Sequence, residues 1–387
     1  MYFKRTIAAV LALTLTGAAY FPAVMPAPAA IVSYAADEGK NYDIYEGTNG
    51  KDIITITAKK SARVYGMGGN DTITVAKGTD HWVYGEDGKD TIKVKKGGGF
   101  YVISGNNGND KITVQDGVKP GASSYYSGIA GCAGNDTITI TNKKGRYYLI
   151  EGDEGNDKIT VKYGRDYEIN GGSGNDTIKI TGVKNFVVNQ SSFGSFDKDT
   201  ITVTGGSNGL IFVTDKSKVT INSGTGHTVE GSDIGTINSS TIIINGGKKL
   251  SIRDSEWGAT KEAVTVNGGS GTMKLEKGTD TISFDFKDKK SIGNWNITVR
   301  KLTKNRITVL NAASSNFKFE RKVETYGLGY IVADSDRWVI TNKTTGKSII
   351  LAGWGENDTK TFEIYFAKDN KLVSSVPNKT DWKKLGL

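Results

Sequence analysis

The sequence predicts an all-β fold, a right-handed parallel β-solenoid with about two strands in each coil of about 19 residues and a β-rich C-terminal cap. Glycine provides 50 of the 387 residues and proline only 5, so a collagen helix is excluded. A short glycine and aspartate motif recurs along the chain, and β-branched residues alternate after each copy. Because so small a unit cannot bury a core alone, successive units are expected to stack and share one.

The N-terminal segment 1–36 is typical of a secretory signal peptide. Lys4 and Arg5 give it a positive start, an apolar run extends from Thr6 to Tyr20, and small residues continue to Ala36. The competing interpretation is a membrane anchor, for which the run is short against the roughly 20 residues of a span. No later segment of the sequence suits a transmembrane span. We therefore expect the mature chain to be secreted or displayed on the surface of a bacterial cell.

The recurring motif is G-x-x-G-x-D, and its seven copies stand 19 to 26 residues apart. Glycine supplies turn conformations that residues with a Cβ resist. The motif glycines are Gly47, Gly50, Gly66, Gly69, Gly85, Gly88, Gly105, Gly108, Gly131, Gly134, Gly152, Gly155, Gly171 and Gly174. The motif aspartates are Asp52, Asp71, Asp90, Asp110, Asp136, Asp157 and Asp176. A degraded eighth copy ends at Asp199. The longer interval before Asp136 implies an insertion around Pro120 to Tyr126, and an insertion there could interrupt the column of aspartates.

Each motif aspartate begins a predicted strand. Apolar residues stand two and four positions after it, as Ile73 and Val75 do, with Thr or Lys between them. A second strand precedes each motif, with an apolar residue such as Val83 two positions before the first glycine. One coil is therefore predicted to run strand, turn, strand, turn.

The later part of the chain keeps the strand pattern but loses the motif. Alternation continues after Asp199, for example in 219–221 and 264–266, while five of the six tryptophans lie at or beyond Trp257. This change in composition predicts a boundary near residue 290. We divide the chain into a signal peptide at 1–36, a solenoid at 37–290 and a β-rich capping region at 291–387.

The strand-and-turn unit resembles the repeat-in-toxin, or haemolysin-type, calcium-binding β-roll, whose nonapeptide is G-G-x-G-x-D-x-U-x with U apolar. Residues 171–179 match it fully, whereas the other six copies lack the second glycine. The resemblance covers about 42–205. It implies several calcium ions bound between successive turns along one edge of the solenoid. The chain departs from the usually acidic family in its formal net charge of +9, and Lys51 and Lys89 directly precede their aspartates.

The residues themselves also favour a cation. Stacking places the motif aspartates in one column, where their charges repel unless a cation lies between them. Ca²⁺ prefers carboxylate and carbonyl oxygens, and glycine-rich turns leave carbonyl groups free to face an ion. The alternative is that each aspartate only closes its turn by accepting bonds from nearby backbone N–H groups.

Lysines cluster five to eight residues after the motif aspartates, in the second turn of the coil. They are Lys59, Lys60, Lys77, Lys95, Lys96, Lys143, Lys144, Lys162 and Lys184. Stacking is expected to align them on the edge opposite the aspartates. Such a stripe suits an anionic polysaccharide or a cell-envelope glycan. The alternative is an edge that lysine keeps soluble, and nucleic acid is not expected as a partner of an exported chain.

The sequence contains no recognisable catalytic constellation. H-E-x-x-H and G-x-S-x-G are absent, and His81, His227 and Cys132 are each more typical of structural positions. The function predicted is an exported, non-enzymatic calcium-binding repeat protein that folds with calcium and serves as a surface or matrix structural protein or an adhesin. The alternative is an anionic-polysaccharide-binding module that uses the lysines. A calcium-dependent polysaccharide lyase is less favoured, because lyase coils are generally longer and three-sided.

Overall fold

A computed structural model gives the fold of most of the chain. It describes residues 33–36, 42–59, 61–118, 127–146, 148–189, 197–213, 216–231, 240–253, 262–275, 281–287, 292–299, 305–328, 331–353 and 362–374. Residues 1–32, which include most of the predicted signal peptide, lie outside this set. Strands make up almost all of the regular structure, and the one short 3₁₀ helix among the described residues is Ser314–Asn316.

The strands that follow the aspartates form one sheet, here called sheet 1. Its strands are β3 (Ile53–Ile56), β5 (Thr72–Val75), β7 (Thr91–Val94), β9 (Lys111–Val114), β11 (Thr137–Ile140), β13 (Lys158–Lys162), β15 (Thr177–Thr181), β17 (Thr200–Thr204), β19 (Lys218–Ile221), β21 (Ser240–Ile244), β23 (Glu262–Val266), β25 (Thr281–Asp285), β27 (Asn305–Leu310), β31 (Phe362–Phe366) and β32 (Lys371–Ser374).

The strands that precede the motifs form the second sheet, here called sheet 2. Its strands are β1 (Ser33–Ala36), β2 (Asp43–Glu46), β4 (Ala62–Tyr65), β6 (His81–Asp87), β8 (Phe100–Asn107), β10 (Ser127–Ala133), β12 (Tyr148–Glu154), β14 (Arg165–Asn170), β16 (Lys184–Asn189), β18 (Ser207–Val213), β20 (Thr228–Gly231), β22 (Leu250–Arg253), β24 (Gly269–Leu275), β26 (Ile292–Val299), β28 (Phe317–Leu328), β29 (Ile331–Asn342) and β30 (Ser348–Gly353).

From β2 to β27, each strand pairs in parallel with its equivalent in the next coil, and this confirms the predicted parallel β-solenoid with about two strands per turn. Ile112 pairs directly with Ile138, and Ile138 with Ile159, so equivalent residues stack through the sheet. A turn averages about 21 residues rather than 19. Longer connections account for the difference, because the strands stay in register while the loops between them vary in length.

The core lies between the two sheets and consists of stacked aliphatic ladders. Ile73 and Val75 from sheet 1 and Val83 from sheet 2 are fully buried, as are their equivalents in the neighbouring coils. The residues between them on sheet 1, mainly Thr and Lys, face outward. The alternation of apolar and polar residues therefore separates a buried from an outward-facing side of each strand, as the sequence predicts.

The ends of the solenoid are covered by antiparallel strands. β1 pairs with β2 at the N-terminal end. Parallel pairing continues past residue 290 through β26 and β27. The long hairpin of β28 and β29 then extends the sheet, β30 and β31 return to pair in parallel with β26 and β27, and β32 closes sheet 1.

Candidate functional site

The G-x-x-G-x-D turn carries the strand from sheet 2 into sheet 1 through two left-handed positions. The residue after the first glycine has a φ near 75°, as in Met67 and Cys132. The second glycine has a φ of 112° in Gly174 and 139° in Gly134. From Gly69 to Gly174, a Cβ at this second glycine would also strike the backbone of the preceding coil, so the close stacking of these turns requires glycine there.

The first glycine of each motif makes room for the motif aspartate. A Cβ on Gly66 would lie 2.6 Å from Oδ2 of Asp71 and would also collide with the carbonyl oxygen of Gly85 in the next coil. The other first glycines meet the aspartate of their own turn in the same way. The carboxylate is thus tucked into the turn, against a position without a side chain.

The aspartates are linked from coil to coil by hydrogen bonds. The backbone N–H of each one donates to Oδ1 of the aspartate in the next coil, with N–O distances of 2.6 to 2.8 Å. The bonded pairs are Asp52–Asp71, Asp71–Asp90, Asp90–Asp110, Asp110–Asp136, Asp136–Asp157, Asp157–Asp176 and Asp176–Asp199. The chain segment inserted before Asp136 does not interrupt this Asp ladder.

The second carboxylate oxygen has no hydrogen-bond partner along most of the Asp ladder. Oδ2 is buried and unpaired in Asp71, Asp90, Asp110, Asp136, Asp157 and Asp176. At the first coil the arrangement is reversed, because Oδ2 of Asp52 accepts the N–H of Thr48 at 2.5 Å and Oδ1 is the unpaired atom. Burying an oxygen of a charged group without a partner costs free energy, so each unpaired oxygen of the ladder favours the binding of a proton or a cation.

Burial also changes the acidity of the Asp ladder. Desolvation raises the pKa of Asp110 and Asp176 to about 7, against the lowering effect of the hydrogen bond that each accepts from the preceding aspartate. The charges of neighbouring aspartates raise both values further. The same leading cause raises the pKa of Asp71, Asp136, Asp157 and Asp199 to about 6. Without a cation, these aspartates therefore keep their protons to a higher pH than exposed aspartates do.

The Asp ladder ends where serine takes the same position. The carbonyl of Asp199 accepts the N–H of Lys218, and the carbonyl of Ser217 accepts the N–H of Thr241 in the same pattern. Ser217 and Ser240 are fully buried at the positions that aspartate holds in the earlier coils. A search for the motif misses them, because Val213 and Gly231 stand in register at the first-glycine position and neither is followed by an aspartate five residues later. Only strand register reveals the equivalence.

A second side-chain ladder runs beside the first in the opposite direction. Asn at the position before the aspartate accepts, through Oδ1, the backbone N–H of the next coil at 2.7 to 2.8 Å. Its members are Asn70, Asn109, Asn135, Asn156 and Asn175. Lys51, Lys89 and Lys198 occupy the same position in other coils and supply no such acceptor. Asn and Asp together bond each turn to the coil before it and to the coil after it.

The donor atoms of this edge fit calcium. Five coils, at Gly66, Gly85, Gly105, Gly131 and Gly152, bring an unpaired carboxylate oxygen close to a carbonyl oxygen of the next coil. A Cβ on Gly85, for example, would be 2.7 Å from the carbonyl oxygen of Gly105 and would also strike Oδ2 of Asp90. Carboxylate and carbonyl oxygens are the ligands that Ca²⁺ prefers. In the described part of the chain, no three Asp, Glu, His or Cys side chains converge as a metal cage. Calcium would therefore be held by the motif aspartates and by main-chain carbonyls of the motif glycines.

The predicted lysines lie at the other edge of the solenoid, in the turns that follow the sheet 1 strands. Lys59, Lys77, Lys95, Lys96, Lys143, Lys144, Lys162 and Lys184 are exposed there, and Lys60 lies outside the described residues. Two further basic residues, Arg146 and Arg165, align in register with Lys184 at this edge, since Arg146 pairs with Arg165 and Arg165 with Lys184.

The surroundings of the two histidines and the cysteine favour structural roles for all three. Nε2 of His81 lies 2.8 Å from the carbonyl oxygen of Lys77, and burial lowers the pKa of this ring. His227 accepts the N–H of Gly209 at Nδ1, and burial lowers its pKa as well. Cys132 Sγ lies 3.2 Å from the hydroxyl of Ser104, and burial raises the pKa of the thiol. A raised thiol pKa disfavours the reactive thiolate.

No family model matches the sequence, and no curated protein matches it. The resemblance to the repeat-in-toxin β-roll is therefore supported at the level of the fold, a parallel β-solenoid, and not as membership of that family. No helix in the described part of the chain is both long and apolar enough to cross a membrane.

Proposed function

We propose that the chain is an exported, non-enzymatic structural repeat protein whose Asp ladder binds calcium, so that the ion completes and stabilises the coils. A surface or matrix role, or an adhesin, suits a stiff rod of this kind. The observation that carries the proposal is the row of six buried Oδ2 atoms without a hydrogen-bond partner. Cations between the coils would pair these atoms and screen the repulsion along the ladder.

Calcium would act through folding. The aspartates form a ladder only when the coils are stacked, so an ion that binds the stacked coils adds its binding free energy to the stability of the fold. Calcium must also displace any protons that the ladder carries. Binding is therefore expected to tighten as the pH rises through the raised pKa values of Asp110 and Asp176, which are about 7.

Circular dichroism of the mature chain tests this proposal. The β signal and the melting temperature are expected to fall in a chelator and to recover with millimolar calcium. Asp110→Asn is the sharpest variant, because the amide oxygen can still accept the N–H of Asp90 while the charge is lost. It should weaken calcium binding yet raise the stability of the calcium-free chain. Spectra and melting temperatures that change neither with chelator nor with calcium would contradict the proposal.

The exposed lysines support a second candidate, an anionic-polysaccharide-binding module. The observation in its favour is the alignment of the second-turn cations on one edge, including Arg165 and Lys184 in register. Salt-sensitive retention on an acidic polysaccharide column is expected, and it should be lost when Lys95, Lys96, Lys143 and Lys144 become Ser. Retention that ignores both salt and these substitutions would count against it.

A further inference from the structure

A groove on sheet 2, far along the chain from the Asp ladder, has the features of a binding site. Its volume is about 800 Å³, within the range of roughly 300 to 1,000 Å³ typical of ligand sites. It crosses β22, β24 and β26. Glycines form its floor, and a Cβ on Gly271 would collide with the backbone of Leu250 in the preceding coil. The floor is therefore bare backbone, flanked by longer side chains.

Four cations line this groove, and the described residues that line it include no Asp or Glu. Lys248, Lys249 and Arg253 come from the solenoid, and all three side chains are exposed. Lys274 stands in register beside Arg253 on the next strand, while Glu230 is the in-register neighbour on the other side and lies outside the groove. Cations that line one groove without an acidic residue among them favour the binding of an anion there.

The C-terminal region supplies the fourth cation. Lys347 belongs to the turn between β29 and β30, and the N–H of the next residue, Ser348, donates to Oδ1 of Asn294 at 3.0 Å. This bond joins segments that are 54 residues apart in sequence. The turn is thereby fixed against β26, so Lys347 belongs to a groove wall that is formed only when the capping strands are in place.

The positive charge of the groove is local rather than a property of the whole sheet. In earlier coils the outward positions of sheet 2 include Glu151 and Glu168, and the pKa of Glu151 is raised by burial and by the nearby charges of Asp153 and Glu168. The outward positions of sheet 2 thus carry glutamates in those coils and cations at the groove.

We propose that this groove binds an acidic polysaccharide, with the four cations contacting its carboxylate or sulfate groups. Ser251, Ser270, Thr272 and Asn294 add hydrogen-bonding groups suited to sugar hydroxyls. No aromatic side chain is among the described lining residues, so the stacking platform typical of single-stranded nucleic acid sites is missing from them. This proposal goes beyond the calcium site and involves different residues.

The test is calorimetric titration of the mature chain, in calcium-containing buffer, with a hyaluronan hexasaccharide as the uronate probe and a neutral glucan hexasaccharide for comparison. The groove variant combines Lys248→Ser, Lys249→Asn and Lys347→Ser. Asn is chosen at Lys249 because the φ there is 54°, a left-handed value that Asn tolerates. The matched control removes three charges from the outer face of sheet 1, which carries none of the proposed glycan-binding lysines, with Lys93→Thr, Lys179→Thr and Lys218→Thr.

The groove variant is expected to bind the uronate probe about tenfold or more weakly, because charge-assisted contacts are lost, while the control stays within about twofold. The neutral glucan should not bind to either. Equal loss in both variants, or no loss in the groove variant, would overturn the proposal. Duplex DNA that binds more tightly than the glycan, with the same dependence on the groove lysines, would overturn it in favour of nucleic acid.

Folding of the variants is checked by calcium titration and by circular dichroism. Both are expected to match the parent chain, because none of the substituted side chains touches the Asp ladder. If the triple variant does not fold, Lys248→Ser with Lys249→Asn alone gives the same comparison, with a smaller but still selective loss of affinity. Failure of this proposal would leave calcium binding untouched, so the two proposals are tested separately.

Discussion

The coils from Asp52 to Asp199 and the coils that contain Ser217 and Ser240 share one fold but close the same turn with different chemistry. The earlier coils combine a glycine with a buried carboxylate, as in Gly171 and Asp176. The first serine coil instead has Val213, fully buried two residues after Ile211, and then Ser217. Strand pairing runs through both kinds of coil without a break, since Ile201 pairs with Val219.

This difference shows that the turn itself does not require a charge. A small hydroxyl with an apolar neighbour closes the same turn and leaves no buried carboxylate. Eight consecutive buried aspartates, whose charges lose solvation and repel one another, would be a costly way to close the turns if they did nothing else. The cation binding proposed above is a property that the serine coils would not share, and it would account for the carboxylates.

The largest expected effect is a dependence of stability on pH in metal-free buffer. The folded pKa values of Asp110 and Asp176 are about 7, whereas the ordinary pKa of an aspartate is 3.8. Between these values the folded chain holds more protons than the unfolded chain, so stability falls as the pH rises. The melting temperature should drop by at least about 5 °C from pH 5 to pH 8.

Calcium should abolish this drop by replacing the protons at pH 8. The control is a chain in which Asp110, Asp136, Asp157 and Asp176 are all Asn, for which the melting temperature should vary much less with pH. A parent chain that is as stable in metal-free buffer at pH 8 as at pH 5 would show that ionisation of the buried carboxylates does not control the stability of the Asp coils.

A substitution at the first motif glycine should have the next largest effect. Gly131→Ala places a methyl group against the carboxylate of Asp136 and against the carbonyl oxygen of Gly152. Overpacking of this kind destabilises proteins by about 1 to 3 kcal/mol. Gly128→Ala, three residues earlier, is the matched control, because a Cβ there meets no atom within 4 Å. Chemical denaturation measures both, and equal stabilities would contradict the close fit of glycine and aspartate.

The Asn ladder should make the smallest contribution. Asn156→Ala removes the acceptor for the N–H of Asn175, and a single hydrogen bond contributes about 0.5 to 1.5 kcal/mol, less at an exposed site. Lys198→Ala changes the equivalent position of another coil, where no acceptor is lost, and should be nearly neutral. Denaturation midpoints compare the two, and an equal effect would mean that the Asn bonds add nothing.

The fold could be predicted from the sequence because its signal repeats. Each aspartate fixes the start of a strand, and Ile two positions later is buried in every Asp coil. The side-chain bonding could not be predicted, because nothing in the spacing says which oxygen of Asp110 faces the N–H of Asp90. The serine coils could not be recognised from the sequence either, because their spacing differs: Ser217 follows Val213 by four residues, whereas Asp176 follows Gly171 by five.

The basic groove was beyond sequence reasoning for a different reason. Lys347 and Lys248 are about a hundred residues apart in the chain, and only the return of β30 onto β26 brings their segments to one groove. No local pattern marks that contact. Repeats predict neighbours within the solenoid, whereas the capping strands depend on pairing that has no repeat.

Hydrogen exchange with and without calcium, resolved by peptide, tests the central claim most directly. The account predicts that calcium raises amide protection strongly in β9, β11 and β13, whose turns carry Asp110, Asp136 and Asp157, and much less in β19 and β21, which follow Ser217 and Ser240. Protection that does not change with calcium in β9, β11 and β13, or that rises equally in both regions, would contradict it.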